Sequence, residues 1–250
     1  MRCVPLTIAL ALVAATPLAG NAADPATAVR EPLYGDPAHP NISGMWDPEF
    51  AFFGPPTGAS AASRVRVKPS TPELTPAYAK KYAQWLKDYA VGKQEPDIVT
   101  RCLAFGIARF GTMPVEIIQT PGQVTMTLGV LHDIRRIYTD GTGHTVGADP
   151  SFNGDSIGHW EGDTLVVETN NVRASTLDRD GVPYSDHLTT VERIRRVSPT
   201  RLEIEITLTD PEAFVRPFTM RRAYVPMPPG SRFEEYVCEN NQDVGTGGQQ

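Results

Sequence analysis

Residues 153–169 read NGDSIGHWEGDTLVVET. Two runs rich in Thr, Val, Ile and Trp, residues 156–161 and 164–169, flank Gly162 and Asp163. A two-residue link that begins with Gly suits the primed turns that join antiparallel strands, so this stretch predicts a β-hairpin near the centre of the fold.

The same pattern continues outward. Residues 115–120 and 123–129 flank Pro121 and Gly122, residues 134–139 follow, residues 187–197 and 201–209 flank Ser198, Pro199 and Thr200, and residues 218–225 and 233–238 complete the series. Consecutive strands with short links favour an up-and-down meander, which at this length removes its edges by closing. The expected fold class is mainly β: an antiparallel up-and-down β-barrel or strongly curved sheet. One helix is expected before it, over residues 75–92. Thr75 can cap, Pro76 suits the first helical position, and Tyr78, Tyr82, Trp85, Leu86 and Tyr89 recur at helical spacing until Gly92. The barrel domain, with this helix, is expected over residues 73–239.

Residues 1–22 read as a signal peptide: Arg2, an apolar run from Val4 to Leu18, then Gly20 and Ala22 before the cleavage point. The apolar run is too short to span a bilayer, so the mature chain is expected in the periplasm or outside the cell with no transmembrane segment. Residues 23–72 form a Pro- and Gly-rich arm, interrupted by ISGMWDPEFAFF at residues 42–53, which is too apolar for a solvated linker and is expected to dock. Residues 240–250 read as a frayed polar tail. Of 3 cysteines, Cys3 leaves with the signal peptide, so Cys102 and Cys238 are expected to pair in an oxidising compartment. In the chain-entropy picture a loop this long stabilises by about 4–5 kcal/mol.

The formal net charge of -6 argues against nucleic acid as a partner. Arg135 with Arg136, and Arg193 with Arg195 and Arg196, sit in alternating strands and read as solvated faces or cross-strand ion pairs. Two inward faces carry charge. Glu192 lies between Thr190 and Ile194, and Arg222 between Met220 and Tyr224, so the two are expected to pair inside the barrel, either as a structural ion pair or as a polar floor for a ligand. A ligand held there would be framed by Tyr138 and Trp160 and covered by the long loops, residues 140–153 and 170–186, that carry His144 and Asp178.

Gly154, Ser156 and Gly158 match the GxSxG pattern of a serine nucleophile, but that elbow needs a helix after the turn, and here a strand follows. The 5 histidines show neither HxH nor HExxH spacing, so no metal is expected. His144, His159 and Glu192 are the candidate acid–base groups. No dinucleotide fingerprint or P-loop is present, and no cofactor is expected.

ISGMW, residues 42–46, resembles the GxW motif that opens the first strand of lipocalins, whose Trp closes one barrel end against an Arg from a late strand. That resemblance implies a lipocalin- or calycin-like barrel with Gly44, Trp46 and Arg222 in those positions. The second lipocalin signature, TDxxY, is absent, and the helix precedes the strands. The runs EIIQTPGQVT, RRIYTDG, SIGHWEGDTLVVET, TVERIRRV and EEYVCENN together resemble a large group of exported bacterial β-rich proteins without an assigned activity. In that group a His is expected where this chain has Tyr184.

The first functional expectation is an exported barrel that binds an amphipathic ligand with an isoprenoid or aromatic body. The alternatives are a cofactor-independent lyase, isomerase or hydratase with acid–base residues at the barrel mouth, and a structural or envelope-interaction protein. Mass spectrometry of the exported protein should find a chain starting at Ala23 whose thiols resist alkylation until a reductant is added; free thiols would contradict the pairing.

Overall fold

In the computed structural model, residues 35–49, 71–95, 97–131, 133–236 and 238 are described. The signal peptide, residues 50–53 of the docking segment, His132 and the tail lie outside the described residues. The elements in chain order are β1 Gly44–Pro48, α1 Pro76–Ala90, β2 Val115–Thr120, β3 Gln123–Leu128, β4 Ile134–Tyr138, β5 Asp155–Glu161, β6 Thr164–Asn170, β7 Ser175–Thr176, β8 Pro183–Tyr184, β9 Thr189–Ser198, β10 Arg201–Thr209 and β11 Phe218–Pro226. All but β7 and β8 join one closed barrel in the order β1-β11-β10-β9-β6-β5-β4-β3-β2, while β7 and β8 form a separate ribbon.

Alternation builds the wall. In β10, Leu202, Ile204, Ile206 and Leu208 are buried, and in β3 Val124, Met126 and Leu128 are, while the residues between them face outward or are only partly covered. Ile117, Met126, Ile137, Leu165, Ile194 and Ile204 belong to one buried cluster. The middle of the barrel is thus a packed core rather than an open cup.

Two expectations change. First, the barrel is not antiparallel throughout: β4 and β5 pair in parallel through Ile137 with Ser156 and Tyr138 with Ile157. The connection over residues 139–154 is long enough to carry the chain back to the end where β4 began, as a parallel pair requires. Second, the expected last strand over residues 233–238 does not form among the described residues. Its place beside β11 is taken by β1 (Trp46 opposite Pro226, Asp47 opposite Val225, Pro48 opposite Tyr224), which closes the barrel. Phe233 instead lies against Gly129, and Cys238 forms the disulfide with Cys102. The docking segment was expected to dock as a strand or clasp, and residues 44–48 of it do form a strand, since β1 also pairs with β2 through Gly44 and Ile117 and through Trp46 and Val115.

The residues around β1 close one barrel end. Gly44 has φ +142°, a backbone conformation that residues with a Cβ rarely adopt, so Gly is what allows this entry into the strand beside the Trp46 indole. Trp46 is buried, and its Nε1 donates to the Ile42 carbonyl at 3.1 Å. Gln119 locks the same segment by accepting from the Ile42 amide at 2.9 Å, while its own amide donates to Ser43 Oγ at 3.0 Å. The cation over the Trp46 ring is Arg196, 5.4 Å from it, and not Arg222 as the lipocalin resemblance implied. Arg196 lies opposite Leu202 near the end of β9 and so reaches this end, whereas Arg222 lies opposite Ile204, two residues further along β10.

The other end is plugged by buried Phe105, Ile107, Ala108, Arg109 and Phe110. Gly111 follows, and a Cβ there would meet Tyr224 Oη at 2.1 Å, so the plug seats only because this residue has no side chain. Tyr224 Oη donates to the Gly111 carbonyl at 2.7 Å. α1 lies beyond, burying Tyr78, with its Trp85 ring against Gly181. Thr75 stands at the cap position, but its hydroxyl donates to the Glu212 carbonyl at 2.6 Å rather than accepting from the helix. Among the described residues no helix is long and apolar enough to cross a membrane.

Truncating Trp46 to Ala should cost about 3–5 kcal/mol, the range for a large buried aromatic. Denaturant unfolding would measure it, and a loss below about 1 kcal/mol would show that this end is not sealed by the indole.

Candidate functional site

Inside the barrel one charged network interrupts the apolar core. Arg135 on β4 is 2% exposed and Glu192 on β9 is 3% exposed, and the two form an ion pair through Arg135 Nη2 and Glu192 Oε2. Nε and Nη2 of Arg135 also donate to Ser156 Oγ on β5 at 3.2 and 3.1 Å, and Nη2 to Thr169 Oγ1 on β6 at 3.0 Å. Ser156 and Thr169 bond each other at 2.9 Å. One guanidinium thus ties together four strands.

The expected partner was Arg222. It is instead on β11, donating through Nη2 to the Ala108 carbonyl of the plug at 2.5 Å. Arg135, read from sequence as part of a solvated basic pair, is the internal cation, because β4 turns Arg135 and Ile137 inward and leaves Ile134, Arg136 and Tyr138 outside. The other basic cluster does form cross-strand pairs, Arg193 with Glu161 at 3.0 Å and Arg195 with Asp163 at 2.8 Å.

Two cavities flank this core, each at a poorly paired seam. The first, about 490 Å³, opens where β4 and β5 diverge, lined by Asp133, Arg135, Tyr138, Asn153, Asp155 and Ser156 among others. Asp133 accepts from the Phe105 amide at 2.8 Å and from Asn153 Nδ2. Burial pushes its carboxyl above the usual carboxylate range, against those two bonds. At the lip, His144 Nδ1 lies 3.3 Å from Asp155 Oδ2, which also accepts from the Thr145 amide at 2.6 Å.

The second cavity, about 510 Å³, lies beside the lower half of β11, where β1 no longer covers it. Its apolar wall includes Phe105, Met113, Leu177, Val182, Phe218 and Met220. Its charged groups include Arg109, Asp178 and Arg222. Arg109 is spoken for, since its two terminal nitrogens grip Asp97 at 3.1 and 3.2 Å. Arg222 is different: its partners are neutral groups, the Ala108 carbonyl and the Tyr224 hydroxyl, and it forms no ion pair with a carboxylate among the described residues. Burial is the main cause that raises the Asp178 carboxyl, opposed by the Val182 amide. Burial likewise pushes the Tyr224 hydroxyl, behind Arg222, to about 12.

The sequence-derived site therefore divides. Asp178 and Arg222 meet in the apolar cavity; Tyr138 and the His144–Asp155 pair border the polar cleft; Glu192 is sealed in the core. Trp160 points inward at the Trp46 end, stacked on His39 with ring centres 5.0 Å apart. His159 is exposed on the outer face, 3.4 Å from Glu161, and lines neither cavity. Among the described residues no group of three His, Cys, Asp or Glu could hold a metal ion. Compared with known proteins, the chain matches no family model and no curated sequence.

Sequence reading passed over Arg135, Asp133, Asn153, Phe105 and Arg109. Arg135 was readable in principle, because Ile137 two positions on had to face inward with it. The plug carried no periodic signal.

Changing Glu192 to Gln leaves a buried guanidinium without its counter-charge and should cost about 3–5 kcal/mol, whereas replacing both partners, Arg135→Met with Glu192→Leu, should cost less than the single change. Urea titration of the set tests this, and a single-variant loss below about 1 kcal/mol would mean the pair is not tightly coupled.

Proposed function

We propose that this is an exported small-molecule-binding β-barrel protein whose ligand is an amphipathic anion with an aromatic or isoprenoid body, held in the cavity beside β11. The observation that carries this reading is Arg222, a guanidinium in an apolar-walled cavity with no ion-pair partner among the described residues. Arg222 is half-buried and not ion-paired, so a ligand carboxylate, sulfonate or phosphate could take charge-assisted hydrogen bonds from it. The cavity volume of about 510 Å³ suits a drug-sized molecule. Phe105, Met113, Phe218 and Met220 supply a wall that fits an irregular apolar body, with Met as the adaptable part. The disulfide and the resemblance to exported bacterial β-rich proteins support the compartment.

Asp178 sets the pH dependence. Its carboxyl titrates above the usual range, so lowering the pH from neutrality protonates it first and removes a negative charge from the cavity that holds Arg222. Affinity for a permanent anion should therefore rise as the pH falls through that pKa.

Calorimetric titration with octanesulfonate and naphthalenesulfonate, against octanol and naphthol, tests both points, because sulfonates stay charged throughout. The sulfonates should bind about tenfold tighter than the alcohols, the worth of one charge-assisted hydrogen bond. Arg222→Gln should erase that preference, and Asp178→Asn should tighten sulfonate binding at pH 7 and flatten its pH profile. Equal affinity for sulfonates and alcohols in the parent protein would refute the anion reading.

A further inference from the structure

The polar cleft between β4 and β5 is separate from the cavity that holds Arg222, and its chemistry differs. Its floor offers one donor and one acceptor that have no hydrogen-bond partner among the described residues. Arg135 is 2% exposed and its Nε and Nη2 are committed to Ser156, Thr169 and Glu192, but Nη1 takes part in none of those bonds. Asn153 gives Nδ2 to Asp133 and the Ile134 carbonyl, which leaves its buried Oδ1 with no hydrogen-bond partner among the described residues. A buried acceptor left unpaired is costly, so this oxygen marks where a donor fits.

Charge narrows the class. Arg135 is already neutralised from within by Glu192, and Asp133 and Asp155 border the same cleft, so a free anion gains little on entering. A hydroxyl both donates and accepts, and adjacent hydroxyls on one ring present the two roles side by side. At the edge, Tyr138 is 38% exposed and offers a flat apolar surface.

We propose that this cleft binds a neutral polyhydroxylated molecule, a mono- or disaccharide, with hydroxyls on Asn153 Oδ1 and Arg135 Nη1 and a ring face against Tyr138. The volume of about 490 Å³ accommodates a molecule of that size. The rigid parts are in place beforehand, since the buried ion pair fixes Arg135 and Asp133 fixes Asn153.

Saturation-transfer NMR and calorimetry on the full exported protein, with glucose, galactose, maltose and cellobiose as probes, would test the assignment. At least one should bind saturably, with transfer to its ring C–H protons. Tyr138→Ala, a change at a partly exposed position that should leave the fold intact, should weaken binding about tenfold, the effect of one aromatic contact of roughly 1–1.5 kcal/mol. Arg222→Gln should leave saccharide binding unchanged, which separates this site from the anion cavity. No saturable binding by any of the four at tens of millimolar, or binding indifferent to Tyr138→Ala, would overturn the proposal, as would entry of octanesulfonate in preference to the sugars.

Discussion

A sheet that closes on itself with nine strands cannot be antiparallel at every seam. Direction alternates from strand to strand, so an odd number brings two like-directed neighbours together somewhere around the circle. Here the mismatch falls between β4 and β5, joined by only two residue pairs. Parallel pairing needs a long return, and residues 139–154 provide it. That one seam then determines where the wall opens and why a polar cleft lies there.

The Arg135 network is the response to that opening. With few backbone bonds between β4 and β5, the guanidinium reaches across to Ser156, Thr169 and Glu192 and holds four strands by side chains where the ladder is short. A buried ion pair is a weak source of stability compared with apolar packing, but it fixes register, because a one-residue slip would turn Arg135 or Glu192 into solvent. The second weak place has a different origin. β1 pairs with β11 over three residues only, and among the described residues the rest of that β11 edge borders an apolar cavity.

Most of the strands were legible because their alternation is strong. β10 places Leu202, Ile204, Ile206 and Leu208 inward with no competing pattern, and Gly162 with Asp163 fixes the hairpin. The parallel seam was not legible, although the length of the 139–154 connection hinted at it. Residues 233–238 were expected as a last strand beside β11, and β1 occupies that position instead. The site was legible only in pieces. Asp178 and Arg222 were identified and do share a cavity, while Glu192 was matched to the wrong arginine because Arg135 and Arg136 are adjacent and only the sheet decides which turns inward. The plug at residues 104–111 has no period, so nothing local distinguished it from an ordinary loop.

The closure of β1 on β11 also governs the order of assembly. Trp46 has to find Pro226 across almost the entire described chain, and no strand pairing further from the diagonal exists among the described residues. The hairpins β2–β3, β5–β6 and β9–β10 can form from near neighbours, but the last seam waits for both ends of the domain. Until it forms, β2 and β11 remain two raw edges of an otherwise finished sheet, open to pairing with another copy. The two edges that close the barrel are thus the same two that another copy would pair with while the seam is open.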